Sequence, residues 1–284
     1  MVQRLYQQTQ SKNSVKGGKG MLKVDHVKKT FSPGTVNEKR ALKEITFHME
    51  ASDFVTVIGG NGAGKSTMLN AIAGIFKVDT GTIIINDTDV TKLPEHKRAV
   101  HIGRVFQDTR MGTASDMTIE ENMAMALRRG KVRGLRKGIT KAERNLSRER
   151  LAILDLGLEN RMTAKTGLLS GGQRQALTLL MATMTKPELL LLDEHTAALD
   201  PKTAKKVLEL TNQIITEDKL TALMITHNMQ DALRLGNRLM MLHEGKVLID
   251  LQREEKKNLQ VSDLLKMFEK ASGMGMASDK ILLS

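Results

Sequence analysis

The run Gly59-Gly60-Asn61-Gly62-Ala63-Gly64-Lys65-Ser66 decides the fold of this chain. It fits the pattern G-x-x-x-x-G-K-[ST] completely, between a short apolar strand over 53–58 and a helix over 65–73. Small residues let backbone N–H groups wrap a phosphate, and the start of the helix adds a positive dipole end. The run therefore predicts a phosphate-binding loop in an α/β sheet, and a glycine-rich turn that meets the pattern by chance is the weaker interpretation.

The chemistry of this loop predicts ATP and Mg²⁺ as the cofactors. Lys65 supplies a point charge for the β- and γ-phosphates, and Ser66 supplies a hydroxyl for Mg²⁺. We expect the nucleotide to contact Gly59, Asn61, Gly62, Ala63, Gly64, Lys65, Ser66 and Thr67.

A second motif, Leu189-Leu190-Leu191-Leu192-Asp193-Glu194, is an apolar strand that delivers two carboxylates at its carboxyl end. Ligands of open α/β sheets bind at that edge. Asp193 is expected to hold Mg²⁺, directly or through water, and Glu194 to accept a proton from the attacking water or orient it. The alternative is that the two acids only cap the following helix.

The third motif is the run Leu169-Ser170-Gly171-Gly172-Gln173-Arg174-Gln175, a polar turn with two glycines before a helix over about 171–185. A serine hydroxyl and glycine N–H groups at a helix start make an anion site. Taken alone, the run is also compatible with an ordinary helix N-cap, which is the weaker interpretation.

In this order, the three motifs make residues 22–251 resemble the nucleotide-binding domain of an ATP-binding cassette (ABC) ATPase. The resemblance implies a P-loop NTPase (RecA-like) α/β fold. Its mostly parallel sheet would carry an antiparallel β subdomain and an inserted α-helical subdomain. It also implies that Ser170, Gly171, Gly172 and Gln173 contact ATP held by another subunit. Two copies would then form a head-to-tail homodimer around two ATP molecules.

The same resemblance assigns further residues by position. Gln107 matches a glutamine that reaches the metal or the attacking water, and His227 matches a switch histidine near the γ-phosphate. Asp200 ends a loop, 196–200, that passes between subunits, and Phe31 matches an aromatic residue that stacks on adenine. A surface glutamine and a core phenylalanine are the alternatives for Gln107 and Phe31.

The chain departs from the family pattern at two positions. His195 stands where a proline is usual, and Ala197 replaces a common serine. The first change removes a rigid φ angle but touches no catalytic role, whereas the second deletes a possible hydrogen bond across the subunit interface. The run 193–201 resembles a branch of bacterial importer ATPases linked to tryptophan or tyrosine uptake.

This resemblance implies the ATPase of a transporter, at the cytoplasmic face of the cell membrane. No apolar run approaches the roughly 18–20 residues that span a bilayer, so a separate permease is expected. A separate permease favours an importer with an extracytoplasmic solute-binding protein. The alternatives are an exporter or lipoprotein-release ATPase, or a soluble ABC ATPase that acts on the ribosome or DNA.

Composition limits the partners only loosely. The formal net charge is +12, so nucleic acid and an anionic membrane surface both fit, although nucleic acid is the less favoured partner. Seven basic residues cluster within 128–141, where a solvated helical face is the simplest interpretation. The chain has no cysteine, which excludes disulfides and thiolate metal sites.

The domain organisation follows from changes in residue pattern along the chain. Residues 1–20 are polar and basic and read as a disordered leader or tag, 21–252 as the ATPase domain, and 253–284 as a terminal helix and tail. The helical subdomain is expected over about 108–180. Its methionines at 111, 117, 123 and 125 either fill its core or line a groove for the permease.

Overall fold

The computed structural model describes residues 21–131 and 138–272, which form two compact units. Of these residues, the first unit contains 21–98 and 221–272, and the second contains 99–220. The expected leader, most of the expected tail and residues 132–137 of the basic segment lie outside the described residues.

The strands and helices of the described residues alternate along much of the chain. The strands are β1 (Leu22–Phe31), β2 (Lys39–Met49), β3 (Phe54–Ile58), β4 (Thr80–Ile85), β5 (Thr88–Asp89), β6 (Ile102–Val105), β7 (Leu189–Asp193), β8 (Ala222–Ile225), β9 (Arg238–His243) and β10 (Lys246–Leu251). The helices are α1 (Lys65–Ala73), α2 (Glu95–Arg98), α3 (Ile119–Leu127), α4 (Lys141–Ala152), α5 (Gly171–Thr183), α6 (Pro201–Glu217), α7 (Met229–Arg234), α8 (Arg253–Lys256) and α9 (Val261–Ser272).

The first unit contains the antiparallel β subdomain, whose strands lie in the order β2-β1-β4-β5. Strand β1 continues to Phe31. Thr30 and Phe31 pair with Arg40 and Lys39, so the pairing with β2 continues almost to the turn that contains Pro33.

The same unit contains the strands that position the glycine loop, in the order β10-β9-β3-β8. Strand β3 is parallel to both β8 and β9, and β10 closes an antiparallel hairpin with β9. Every residue of β3 and β8 is buried, which explains their almost entirely apolar sequences. The one polar residue of β3, Thr56, donates its hydroxyl to the carbonyls of Ala232 (2.8 Å) and Arg238 (3.2 Å).

The second unit contains the parallel pair β6 and β7 and the inserted helices. The register runs from Ile102 opposite Leu189 to Val105 opposite Leu192. The sequence predicted helical texture from Asp108 onward, but helix α3 begins only at Ile119. Thr118 and Glu121 close a capping box there, a local signal worth about 1 kcal/mol that fixes where the helix starts.

Candidate functional site

The glycine loop of the first unit follows β3 and leads directly into α1. Gly59 and Gly64 have φ angles of 149° and 101°, in the region that side chains disfavour. A Cβ atom at Gly59 would lie 2.2 Å from the carbonyl oxygen of Leu242, so only glycine fits. Helix α1 has no side-chain cap and no acidic residue in its first turn. Its N-terminal N–H groups are therefore presented as an anion site.

Lys65 opens helix α1 and is buried, while Ser66 beside it is exposed. The Nζ atom of Lys65 donates to the carbonyl oxygens of Gly59 (2.7 Å) and Gly60 (3.2 Å), which folds the ammonium group into the loop. A cation held above uncapped helix N–H groups matches the phosphates of a nucleotide. Asn61, Gly62, Ala63 and Thr67 occupy the same turn and its first helical residues.

Phe31 and His227 belong to the same unit as this loop. Phe31 is partly exposed and meets Phe76 edge to face, with ring centroids 5.2 Å apart. The Lys29 ammonium lies 5.5 Å from the Phe31 centroid. Because Phe31 is not in the buried core, the ring keeps surface for stacking on a base.

His227 follows the end of β8, beside the end of β3. Val57 lies opposite Ile225 in the parallel pair, and Thr226 donates its N–H to the Val57 carbonyl at 3.1 Å. The exposed His227 and the glycine loop therefore leave neighbouring strands at the same edge of the sheet.

In the second unit, Gln107 follows β6, Asp193 is the last residue of β7 and Glu194 follows it, and the two strands are paired. Val105 lies opposite Leu192, so these polar residues also meet at one edge. Glu194 is buried and has a φ angle of 46°, a strained backbone conformation for glutamate that is typical of functional sites. The Oδ2 atom of Asp193 lies 3.7 Å from Nη2 of Arg104, a residue that the sequence analysis did not single out.

The donor set fits Mg²⁺ better than a metal held by protein ligands alone. Within 21–131 and 138–272, no three His, Cys, Asp or Glu side chains cluster to hold a metal. Mg²⁺ in nucleotide sites is usually held by one or two side chains together with phosphates and water. Ser66 in the first unit and Asp193 in the second are each a side chain that could supply one such ligand.

His195 follows Glu194 and is completely enclosed. Its Nε2 atom lies 3.0 Å from Oγ1 of Thr211, and that hydroxyl donates to the Val207 carbonyl at 2.7 Å. Because the Thr211 hydroxyl donates its proton to the Val207 carbonyl, the Thr211 oxygen must accept the hydrogen bond from Nε2–H of His195. Burial lowers the pKa of His195 to about 4, so the ring is neutral and links the strand β7 end to helix α6.

Ser170, Gly171, Gly172 and Gln173 open helix α5, and Ser170 and Gly171 are exposed. Ser170 and Gln173 form a capping box, so the N-cap interpretation is correct in structural terms. The capping box joins only Ser170 and Gln173. Because Ser170 and Gly171 are exposed, the helix start still offers other N–H groups to an anion. A Cβ atom at Gly172 would lie 2.1 Å from Cγ2 of Thr203, which explains the second glycine.

Helix α5 also contacts the segment that contains Gln107. The side-chain Nε2 of Gln175 donates to the carbonyl oxygen of Phe106 at 2.9 Å. Asp200 caps helix α6 by accepting from the N–H of Thr203 at 3.1 Å. Hydrogen bonds from the side chain and backbone of Thr203 hold the pKa of Asp200 below its usual value.

The methionines of the second unit divide between core and surface. Met123 is 0% exposed, so the groove interpretation is wrong for this residue. Met117 and Met125 line a groove of about 480 Å³, and Met111 is exposed. The other lining residues are Glu121, Ala124, Arg128, Gly138, Ile139 and Arg144.

The arginines in the described part of the basic segment contact other residues of the second unit. Arg128 pairs with Glu143 at 2.9 Å, and Arg129 donates to Thr185 at 2.6 Å and to the Ala182 carbonyl at 3.1 Å. These contacts favour a structural role for both arginines. Across 21–131 and 138–272, no helix combines the length and apolarity needed to cross a membrane.

Comparisons with known proteins agree on one family. The family model described as ABC transporter matches residues 42–197. A tyrosine transport ATP-binding protein of Clostridioides difficile is 44% identical over 252 residues, covering 88% of this chain and 100% of that protein. A methionine import ATP-binding protein of Enterococcus faecalis is 35% identical, covering 80% of this chain and 64% of that protein.

A solved structure shares the fold across most of the chain. It is a dimeric ATP-binding cassette in a post-hydrolysis state, bound to ADP and phosphate. The TM-score is 0.70 at 31% identity, and the match covers 82% of this chain and 99% of that chain.

Proposed function

This chain belongs to the ABC transporter family and is an ATP-hydrolysing subunit of a transporter, and from this premise we propose that it energises the import of tyrosine or tryptophan. The observation that carries the proposal is the similarity to a tyrosine transport ATP-binding protein along that protein's whole length. The permease is a separate chain, and this subunit binds it at the cytoplasmic face of the membrane.

The proposed chemistry assigns one role to each part of the site. The N–H groups of the glycine loop and Lys65 bind the phosphates, and Phe31 stacks on the adenine. Ser66 and Asp193 would hold Mg²⁺, and Gln107 would contact the metal or the attacking water. Mg²⁺ would polarise the γ-phosphate.

Glu194 takes the proton of the attacking water, and His227 keeps that water and the γ-phosphate aligned. Burial of Glu194 and its strained backbone support a fixed, preorganised carboxylate.

We propose a head-to-tail homodimer as the working form. The exposed Ser170 and Gly171 then complete the site of a second copy, and Asp200 lies near the interface. A dimeric cassette among the structural relatives supports this arrangement. ATP binding closes the dimer and hydrolysis opens it, and the permease alternates its access side with that cycle.

The groove that contains Met117 and Met125 is the proposed permease contact. Thioether side chains adapt to an apolar partner surface, and Arg128 and Arg144 supply polar contacts at its edge. An extracytoplasmic solute-binding protein would act on the outer side of the permease.

Uptake by intact cells tests this proposal. A strain that lacks the gene is complemented with the wild type, with Glu194→Gln, or with the exposed control Glu254→Gln, and uptake of labelled tyrosine and tryptophan is measured. We expect uptake with the wild type and the control and none with Glu194→Gln.

Purified Glu194→Gln should bind ATP, hydrolyse almost none and accumulate as an ATP-bound dimer. Normal phosphate release by this variant would remove Glu194 as the base. Glu194-dependent hydrolysis together with unchanged uptake in the deletion strain would instead favour the exporter or the ribosome- or DNA-acting alternatives.

A further inference from the structure

Arg104 lies beside the carboxylate proposed to hold Mg²⁺. In the parallel pair of β6 and β7, Arg104 is opposite Leu191, and Asp193 follows two residues later. Side chains two residues apart on a strand share a face, so Arg104 and Asp193 project on the same side of the pair. Their Nη2 and Oδ2 atoms lie 3.7 Å apart.

The pair is largely shielded from water. The side chains of Arg104 and Asp193 are 12% and 14% exposed. The guanidinium also stacks on the ring of Phe106, with its central carbon 4.6 Å from the ring centroid. A stacked guanidinium is held in one orientation, and a charge pair in such surroundings is stronger than one at the surface.

The local charge balance gives this contact a consequence for metal binding. Asp193 and Glu194 are consecutive, and Glu194 is buried. Both side chains carry a carboxyl group, so a positive charge is favoured at this strand end. Arg104 supplies one fixed positive charge there, and Mg²⁺ would supply two.

We propose that Arg104 is a positioning residue that acts as the counter-ion of Asp193 and sets the metal affinity of the site. It keeps the carboxylate oriented while no metal is bound, and it competes with Mg²⁺ for the same negative charge. The competition makes the site release its metal more readily than the two carboxylates would alone. The inference rests on the proposed ATPase function, in which Asp193 is a metal ligand.

Manganese binding provides a test that does not depend on turnover. The probe is Mn²⁺, whose free concentration is read by electron paramagnetic resonance, with protein saturated by a non-hydrolysable ATP analogue. The proteins compared are wild type, Arg104→Met, Arg104→Gln, Arg104→Lys and the control Arg110→Met. Arg110 is an exposed arginine that pairs with Asp108 at 3.0 Å, just beyond Gln107.

Removal of the charge should tighten Mn²⁺ binding by about three- to tenfold in Arg104→Met and Arg104→Gln. Arg104→Lys keeps the charge and should stay close to the wild type, as should Arg110→Met. Unchanged or weaker Mn²⁺ binding in both neutral variants would overturn the inference, and so would a lysine variant that behaves like the methionine variant.

Two further measurements separate the possible causes. Thermal unfolding of each variant shows whether it is folded, and the two neutral replacements differ in polarity, so misfolding of one leaves the other informative. Binding of the analogue in the presence of excess Mg²⁺ tests the nucleotide site itself. If the wild type fails to bind the analogue there, the proposed function itself is overturned and the inference with it.

Discussion

His195 gives the structure a specific acid sensitivity. The ring is 2% exposed, and its Nε2–H is committed to Thr211. Burial lowers its pKa to about 4 from an ordinary value of 6.5. Between these two values the unfolded chain binds a proton at His195 and the folded chain does not. Acidification therefore favours the unfolded state, and the loss begins as the pH falls through 6.5.

The size of the effect follows from the two pKa values. At about pH 5.5, the unfolded histidine is protonated roughly ten to one, while the folded ring remains neutral. That difference costs about 1.4 kcal/mol of unfolding free energy relative to about pH 7.5. Near pH 4 the folded ring begins to take up the proton, and the loss levels off.

The comparison variant is His195→Gln, whose amide can still donate to Thr211 but does not titrate. Denaturant unfolding of both proteins at about pH 7.5 and pH 5.5 gives the difference in unfolding free energy at each pH. We expect that difference to shift by about 1.4 kcal/mol toward the variant at the lower pH, because titration of all other groups cancels. The exposed His96→Gln serves as the control and should show a much smaller shift.

A difference between wild type and His195→Gln that stays constant across the two pH values would refute the neutral, buried ring. An equal shift in His96→Gln would show that the effect does not come from burial.

Two other predictions concern surfaces that the proposed function uses. Ser170→Asp replaces the hydroxyl that caps helix α5 with a carboxylate. The carboxylate can still cap the helix, but it places a negative charge where a partner's γ-phosphate would bind. The substitution should strongly lower ATP hydrolysis, with ATP affinity of the monomer and the unfolding temperature nearly unchanged. Collapse of the monomer's ATP affinity would mean that the residue acts within its own subunit. Met125→Gln should weaken co-purification with the permease more than ATPase activity, whereas Met123→Gln should lower the unfolding temperature because Met123 is fully buried. Equal loss of stability in both variants would favour a core role for Met125.

The fold class and the phosphate loop were predictable because their signals are local. Gly59 and Gly64 are required by the backbone angles of the turn itself, and the run of leucines before Asp193 reflects burial on both faces of a strand. Short elements such as β5 and α2 were missed, since two to four residues carry too little periodicity to detect.

Other features depend on contacts between distant residues and left no pattern to find. Met123 and Met125 look alike in sequence, yet one is enclosed and the other lines a groove, because the helical period puts them on different faces. In the sequence, His195 is only a replacement for the usual proline. Its hydrogen bond to Thr211, sixteen residues away, forms only in the folded chain.

By itself, the sequence determined the sheet class, the phosphate loop and the identity of the acidic residues at the end of β7. Each of these features depends on one continuous stretch of sequence with its own backbone requirement. Only the tertiary structure decided which charge faces Asp193. Arg104 lies 3.7 Å from that carboxylate although 88 residues separate them in the chain, and only the pairing of β6 with β7 brings them to one face. Electrostatic coupling depends on distance and dielectric surroundings, and neither quantity exists until the strands are packed.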